Sequence, residues 1–317
     1  MSLQQSILEA EKVVRKYLRL TPAEHSRLLS QQSGAEVYLK LENFQVTGSF
    51  KARGAIHKLS TLGEEAIAAG IITASSGNHG LGVASGARKL GIKATVYVPE
   101  YADQSKVQAI ELEGAEVNFV GDDCAITETV ARKDAIQANK VYISPYNDLN
   151  VIAGQGTIAV ELLQQLESID AVFVAVGGGG LISGIGAYLK AVSPQTEIIA
   201  CSPSRSPAMH ECMNAKKIID VPCYPTLSDA TAGGIEEGAI TLELCLEVVD
   251  RSILVDEEEI KAAMLLMMDQ HHVLVEGAAG VAVAAFLKEQ KNYHGKQVAI
   301  LICGGNIGTE KLREVLS

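Results

Sequence analysis

The sequence predicts an α/β protein in which mostly parallel sheets are flanked by helices. Three observations predict it. Short β-branched runs alternate with longer stretches of helical period, which is the pattern of βα units. Several of these runs end directly in clusters of glycine, serine or asparagine, and ligands of open α/β sheets bind at the carboxyl ends of strands. The chain of 317 residues, 47% of them hydrophobic, is long enough for two lobes with substantial cores.

The elements follow in order. "MSLQQSILEAEKVVRKYLRL" has helical periodicity with charges throughout, so it predicts a helix and neither a signal peptide nor a membrane span. "EVYLKL" predicts a strand, and "NFQVTGSFKARGA", residues 43–55, a loop running into a helix. "GIITAS" leads through the polar stretch Ser75–His79 into another helix, and "KATVYVP" and "AEVNFV" predict further strands. "DAVFVAVG" runs into four glycines at 177–180 and then a helix, while "EIIACSP" is again a strand. "VDEEEIKAAM" has the acidic first turn that suits a helix dipole, with Asp256 as its cap, and "MMDQHHVLVEG" marks a helix end. "QVAILICGG" is a strand that stops at Cys303–Asn306. We expect a small lobe over 46–145 and a large one from 1–45 plus 146–317, closely packed, since no Pro/Gly/Ser linker separates them.

Composition narrows the function. A formal charge of −11 argues against nucleic acid, whose binding depends on Lys and Arg contacts to phosphate. Six cysteines at 124, 201, 212, 223, 245 and 303 form no CxxC pair, which fits a reducing cytoplasm. No segment offers about 20 uncharged apolar residues, so no membrane span is expected. Adjacent His271 and His272 cannot both face one metal from a regular helix, and no GxSxG elbow is present.

The chemistry concentrates in the strand-end clusters. Gly177, Gly178, Gly179 and Gly180 let bare backbone N–H groups crowd around an anion at a helix start, and a phosphate is the natural guest. GxGxxG spacing and a P-loop GK[ST] are both absent. Ser75, Ser76, Gly77, Asn78 and His79 precede a second helix and can either offer amides and hydroxyls to a carboxylate or simply cap that helix. Lys51 is either a charge partner for the phosphate or an amine that forms a Schiff base with a carbonyl. Spacing leaves both open.

Together, "TGSFKARGA", "SSGNHG", "VGGGGL" and "CGGN", in this order from roughly residue 20 to 310, resemble the fold type II pyridoxal-phosphate enzymes of the serine/threonine dehydratase and serine racemase group. The resemblance implies a two-domain fold of the tryptophan synthase β kind and a pyridoxal 5′-phosphate cofactor. It implies that Lys51 carries this cofactor as a Schiff base and shuttles the proton at the substrate Cα, with Phe50 packed on the ring and Asn78 bonded to its phenolic oxygen. Gly177–Gly180 and Leu181 would hold the phosphate, and Ser75, Ser76, Asn78 and His79 would surround the substrate carboxylate. Ser76 falls where the second acid/base of racemases stands. Cys303 takes the place of the usual serine or threonine on the pyridine nitrogen, and a neutral partner there favours expulsion of a β-leaving group. Glu276 matches a family glutamate near the ring.

The departures are informative. Ser202 and Ala208 stand where metal-activated relatives carry acidic ligands, and Gly233 and Gly308 replace aspartates, so no activating metal or ATP regulation is expected. The chain ends at Ser317 without the regulatory domain of biosynthetic threonine deaminases, so isoleucine feedback is not expected either. The sequence thus predicts a cytoplasmic lyase, a homodimer by resemblance, that converts L-threonine or L-serine to a 2-oxo acid and ammonia. Alternatives are racemisation, dehydration of 3-hydroxyaspartate, phenylserine or a hydroxyectoine-derived amino acid, and a non-catalytic phosphate-ligand binding protein.

Overall fold

The structure, a computed structural model, describes residues 2–317. Its first element, α1 (Leu3–Tyr17), starts at a capping box in which Ser2 and Gln5 satisfy each other's backbone amides. There follow β1 (Ala23–His25), α2 (Arg27–Ser33), β2 (Glu36–Leu41), α3 (Lys51–Ser60), α4 (Glu64–Ala69), β3 (Ile71–Ala74) and α5 (Asn78–Leu90). The middle of the chain forms β4 (Ala94–Val98), α6 (Gln104–Leu112), β5 (Glu116–Phe119), α7 (Cys124–Gln137), β6 (Val141–Tyr142) and α8 (Leu149–Gln165). The last part forms β7 (Ala171–Ala175), α9 (Gly180–Val192), β8 (Glu197–Pro203), α10 (Ala208–Ala215), α11 (Thr241–Val248), β9 (Arg251–Val255), α12 (Glu257–His271), α13 (Gly277–Glu289), β10 (Gln297–Ile302) and α14 (Thr309–Leu316).

Two sheets result. One has six strands in the order β1-β2-β10-β7-β8-β9, and the other four in the order β5-β4-β3-β6. All neighbours are parallel except β1 and β2. The central strand β7, "AVFVA", is buried at every position, because helices cover both faces of a parallel sheet and leave no face for polar alternation. One of those helices, α13, lies against β7, β8 and β10. Its run of glycine and alanine from Gly277 to Ala285 is buried throughout and lets the helix axis approach the sheet closely. Phe286 at its end meets Phe173 of β7 edge-on, ring centroids 5.5 Å apart.

The strand ends position the site. The loop after β2 leads to Lys51 at the first position of α3, and β3 leads to Asn78 at the first position of α5. β7 leads through the glycines to α9, and β10 to Cys303–Asn306. An isolated bridge pairs Ser49 with Gly304, and the Phe50 amide donates to the Cys303 carbonyl at 3.0 Å. The segment before Lys51 is thereby stitched to the end of β10. Asp256 caps α12 as expected, in a capping box with Glu259.

Candidate active site

Lys51 opens α3, which packs between α5 and α8. Its Nζ donates to the carbonyl of Pro145 at 2.9 Å and lies 5.3 Å from the centroid of the Phe50 ring. Burial pushes the amine down to about 8, against the opposing pull of Glu276. A substantial neutral fraction near physiological pH makes this nitrogen a usable nucleophile and base.

The residue after Pro145 connects the amine to the glycine loop. A Cβ on Gly178 would stand 2.4 Å from the Tyr146 ring, and one on Gly180 would stand 3.0 Å from the Tyr146 Cα, so no larger residue fits beneath this tyrosine. Gly179 takes a left-handed φ of 85° as the N-cap of α9, and no side chain caps the helix. Its first backbone N–H groups are the free donors that an anion would meet. Leu181, the second residue of α9, is buried in the core of the large sheet and anchors that end. The Tyr146 hydroxyl accepts the Glu236 amide at 3.0 Å, and Asn147 Oδ1 accepts that of Ile240 at 3.0 Å. The segment between α10 and α11 thus lies against the loop, with Thr231 Cα 3.0 Å from the Cβ position of Gly177.

The start of α5 is likewise without a side-chain cap. Its N-cap is Gly77, which has no side chain to give, and Ser75 Oγ accepts the Gly77 amide at 3.2 Å without reaching into the first turn of the helix. Of the two roles open to the Ser75–Asn78 stretch, side-chain capping is not the one used. Ser76 sits half-buried in the loop beside these amides. The His79 side chain is buried and turned away from solvent: its Nε2–H donates to the Ile143 carbonyl at 3.0 Å, and burial, together with Lys51, pushes the imidazole down to about 3. The ring is therefore neutral, and only the His79 backbone remains to face an anion.

Between Lys51 and the end of β10 lies a buried carboxyl. Glu276, the N-cap of α13, accepts from Asn78 Nδ2 at 2.9 and 2.8 Å, and its own amide donates to the Gly304 carbonyl at 3.1 Å. Burial pushes it up to about 7, despite the hydrogen bonds from Asn78. Cys303, also buried and with its thiol pushed well up by burial, directs its Sγ–H at Glu276 Oε1, 3.9 Å away. Asn78 Oδ1 in turn accepts from Asn306 Nδ2 at 2.7 Å. The fold therefore brings together Lys51, Phe50, Asn78, Cys303 and the glycine loop, all named from sequence, draws in Asn306 from the Cys303–Asn306 cluster, and adds Pro145 and Tyr146. Tyr146 escaped notice because β6, the strand that delivers it, is only two residues long and shows no period.

Comparison with known proteins shows the family to which this chain is similar. The family model described as "Pyridoxal-phosphate dependent enzyme" matches residues 14–304. An L-threonine ammonia-lyase of Thermotoga maritima is 38% identical over 99% of this chain and 78% of its own length. The solved structure of the processed form of threonine deaminase isoform 2 from Solanum lycopersicum matches with a TM-score of 0.94 at 32% identity, covering 99% of this chain and 92% of that one. Serine racemase from Dictyostelium discoideum matches with a TM-score of 0.90 at 34% identity, over 97% and 99% of the two chains.

Proposed function

The chain belongs to the pyridoxal-phosphate dependent enzymes, and from that premise we propose that it is an ammonia-lyase converting L-threonine, or L-serine, to the 2-oxo acid and ammonia. The observation that carries the reading is the Lys51 amine, half-neutral near pH 8 and bonded to the residue next to the one that covers the glycine loop.

The residues present fit the cofactor. The uncapped start of α9, with glycine where a Cβ would strike Tyr146, suits its phosphate, and the amine of Lys51 suits its aldehyde. When bound, pyridoxal phosphate supplies an electron sink for the pair left at the substrate Cα. Phe50 would pack on its ring and Cys303 would meet its ring nitrogen with a neutral thiol. Asn78 would bond its phenolic oxygen.

Each protein group then has one task. The α5 N-terminus, with Ser75 and Ser76 in the loop before it, binds the substrate carboxylate through unused amides. Lys51 Nζ takes the proton from Cα. The β-hydroxyl departs as water, and hydrolysis of the remaining carbon–nitrogen bond gives ammonia. The segment between α10 and α11, lying against the glycine loop, shields these transfers from bulk water.

Racemisation by return of a proton from Ser76 is the second reading, supported by the likeness to serine racemase. We further propose that residues 46–145 form a small lobe and 1–45 with 146–317 a large one, and that the enzyme is a cytoplasmic homodimer. No helix among the described residues is long and apolar enough to cross a membrane.

The test is direct. The purified protein should be yellow, borohydride should fix the cofactor on Lys51, and threonine should yield 2-oxo acid and ammonia in equal amounts. Recovered threonine that is racemised without any 2-oxo acid would replace the lyase with the second reading. A colourless protein that takes up no pyridoxal phosphate would leave only a phosphate-ligand binding module.

A further inference from the structure

Asn306 makes no hydrogen bond to Lys51 or Cys303, but it does bond Asn78. Its Nδ2 donates to the carbonyl of Thr47 at 2.8 Å, and a backbone carbonyl can only accept, so the nitrogen end of the amide must face that way. The oxygen end lies over Gly48, whose φ is 72° and where an added Cβ would stand 2.3 Å from Asn306 Oδ1. Gly48 is therefore what makes room for this orientation. The second hydrogen of the same nitrogen meets Asn78 at 2.7 Å, so the atom of Asn78 that it meets must be the oxygen. That leaves the Asn78 nitrogen turned to Glu276, at 2.9 and 2.8 Å. Asn78 is thus held between a donor on its oxygen side and an acceptor on its nitrogen side.

We propose that Asn306 is a positioning residue that fixes which way round the Asn78 amide stands, and through it the hydrogen-bond donor that the site presents to the cofactor. The proposal rests on the pyridoxal-phosphate reading above. The charged and titratable groups around the linked carboxyl of Glu276 are Lys51 from α3, Lys106 from α6, Cys303 beyond β10 and Asp229 from the segment between α10 and α11.

The sign of the effect separates positioning from space-filling. Asn306→Asp keeps the shape but offers only acceptors, which would face the Thr47 carbonyl and Asn78 Oδ1. Relief requires the Asn78 amide to turn over, which sets its oxygen against Glu276 and demands a proton there. Asn306→Ala leaves a hole but no conflict. The expected result is that apoprotein of Asn306→Ala binds pyridoxal phosphate about five- to tenfold more weakly, the loss of one hydrogen bond. Asn306→Asp should lose more than this, increasingly so as pH rises, with a displaced pH midpoint in the absorption spectrum of the holoenzyme. A residue that only fills space would give the opposite order, because aspartate preserves the volume and alanine does not. Asn306→Asp that binds as well as Asn306→Ala, or better, with the spectrum of the unsubstituted enzyme at every pH, overturns the proposal. Should Asn306→Asp fail to fold, Gly48→Ala presses on the same amide from the other side, and an unchanged spectral midpoint in that variant overturns it equally. Failure of the unsubstituted protein to take up pyridoxal phosphate would instead overturn the cofactor reading itself, so the two failures are told apart by that control.

Discussion

Replacing Glu161 with glutamine tests whether the polar core beneath the active site holds the fold together. Glu161, on α8, has a side chain with no exposure and accepts four charge-assisted hydrogen bonds from three residues. Arg53 reaches it with a two-pronged fork at 2.7 and 2.9 Å, Lys40 at 2.5 Å and Arg15 at 2.8 Å. Arg53 grips Glu42 with the other edge of its guanidinium, at 2.7 and 2.8 Å. Burial alone would raise the Glu161 carboxyl, but Arg53 and Lys40 hold it down at about 2, against an ordinary 4.5. That difference is worth about 3 kcal/mol of preference for the charged form in the folded state. With about 2.1 cal/mol/K of unfolding entropy per residue, a chain of 317 residues should lose about 4–5 °C in Tm on Glu161→Gln. Because the folded value is depressed, the stabilisation is complete above the ordinary carboxyl range and disappears as pH falls towards about 2. Differential scanning calorimetry of the apoprotein near pH 7 and below 4 measures both parts. Glu11→Gln is the control, since its partner Arg15 is about one-third exposed and such pairs are worth less than about 1 kcal/mol. If the two variants melt alike, the cluster is not a source of stability and the reasoning fails.

Other outcomes can be checked on the same protein. Lys51→Ala should lower 2-oxo acid formation by at least about 10³-fold, the scale of a missing general base, and abolish borohydride labelling. Cofactor uptake by the apoprotein should accelerate with pH and level off above about 8, since only the neutral Lys51 amine attacks an aldehyde; stopped-flow absorbance reads this. Gly178→Ala, which sets a methyl 2.4 Å from the Tyr146 ring, should weaken cofactor binding by about five- to a hundredfold, and Tyr146→Ala should restore part of the loss. Asp256→Ala, which removes the cap of α12, should cost about 1 kcal/mol in denaturant unfolding with little change in turnover.

Most regular strands were legible because helix-covered parallel strands are written as apolar runs, as in β3, β4, β7, β8 and β10, while β2 and β5 showed only as short stretches with valine and aromatic residues. β1, "AEH", is an antiparallel edge of three residues, two of them exposed, with no apolar pattern to read, and β6 has only two residues. β9, "RSILV", was lost between two helices. The order of the strands within each sheet could not be read, since β2 pairs with β10 across most of the chain. The glycine and polar loops announced themselves through composition, whereas the role expected of Lys51 came only from the family resemblance that the motifs carry together. The buried charges did not: Lys40 and Arg53 carry residue types that ordinarily stay in water, and only their partners on α8 and beyond β2 explain their complete burial. The turned amide of Asn306 was equally invisible, because orientation is set by neighbours from residue 47 and residue 78.

Two residues beyond Lys51, the fork of Arg53 moors the first turn of α3 to both the β2 side and α8. An amine on so firmly tethered a turn keeps its place when other walls of the cavity are altered, so substitutions meant to leave Lys51 undisturbed should spare Arg53, Glu42 and Glu161.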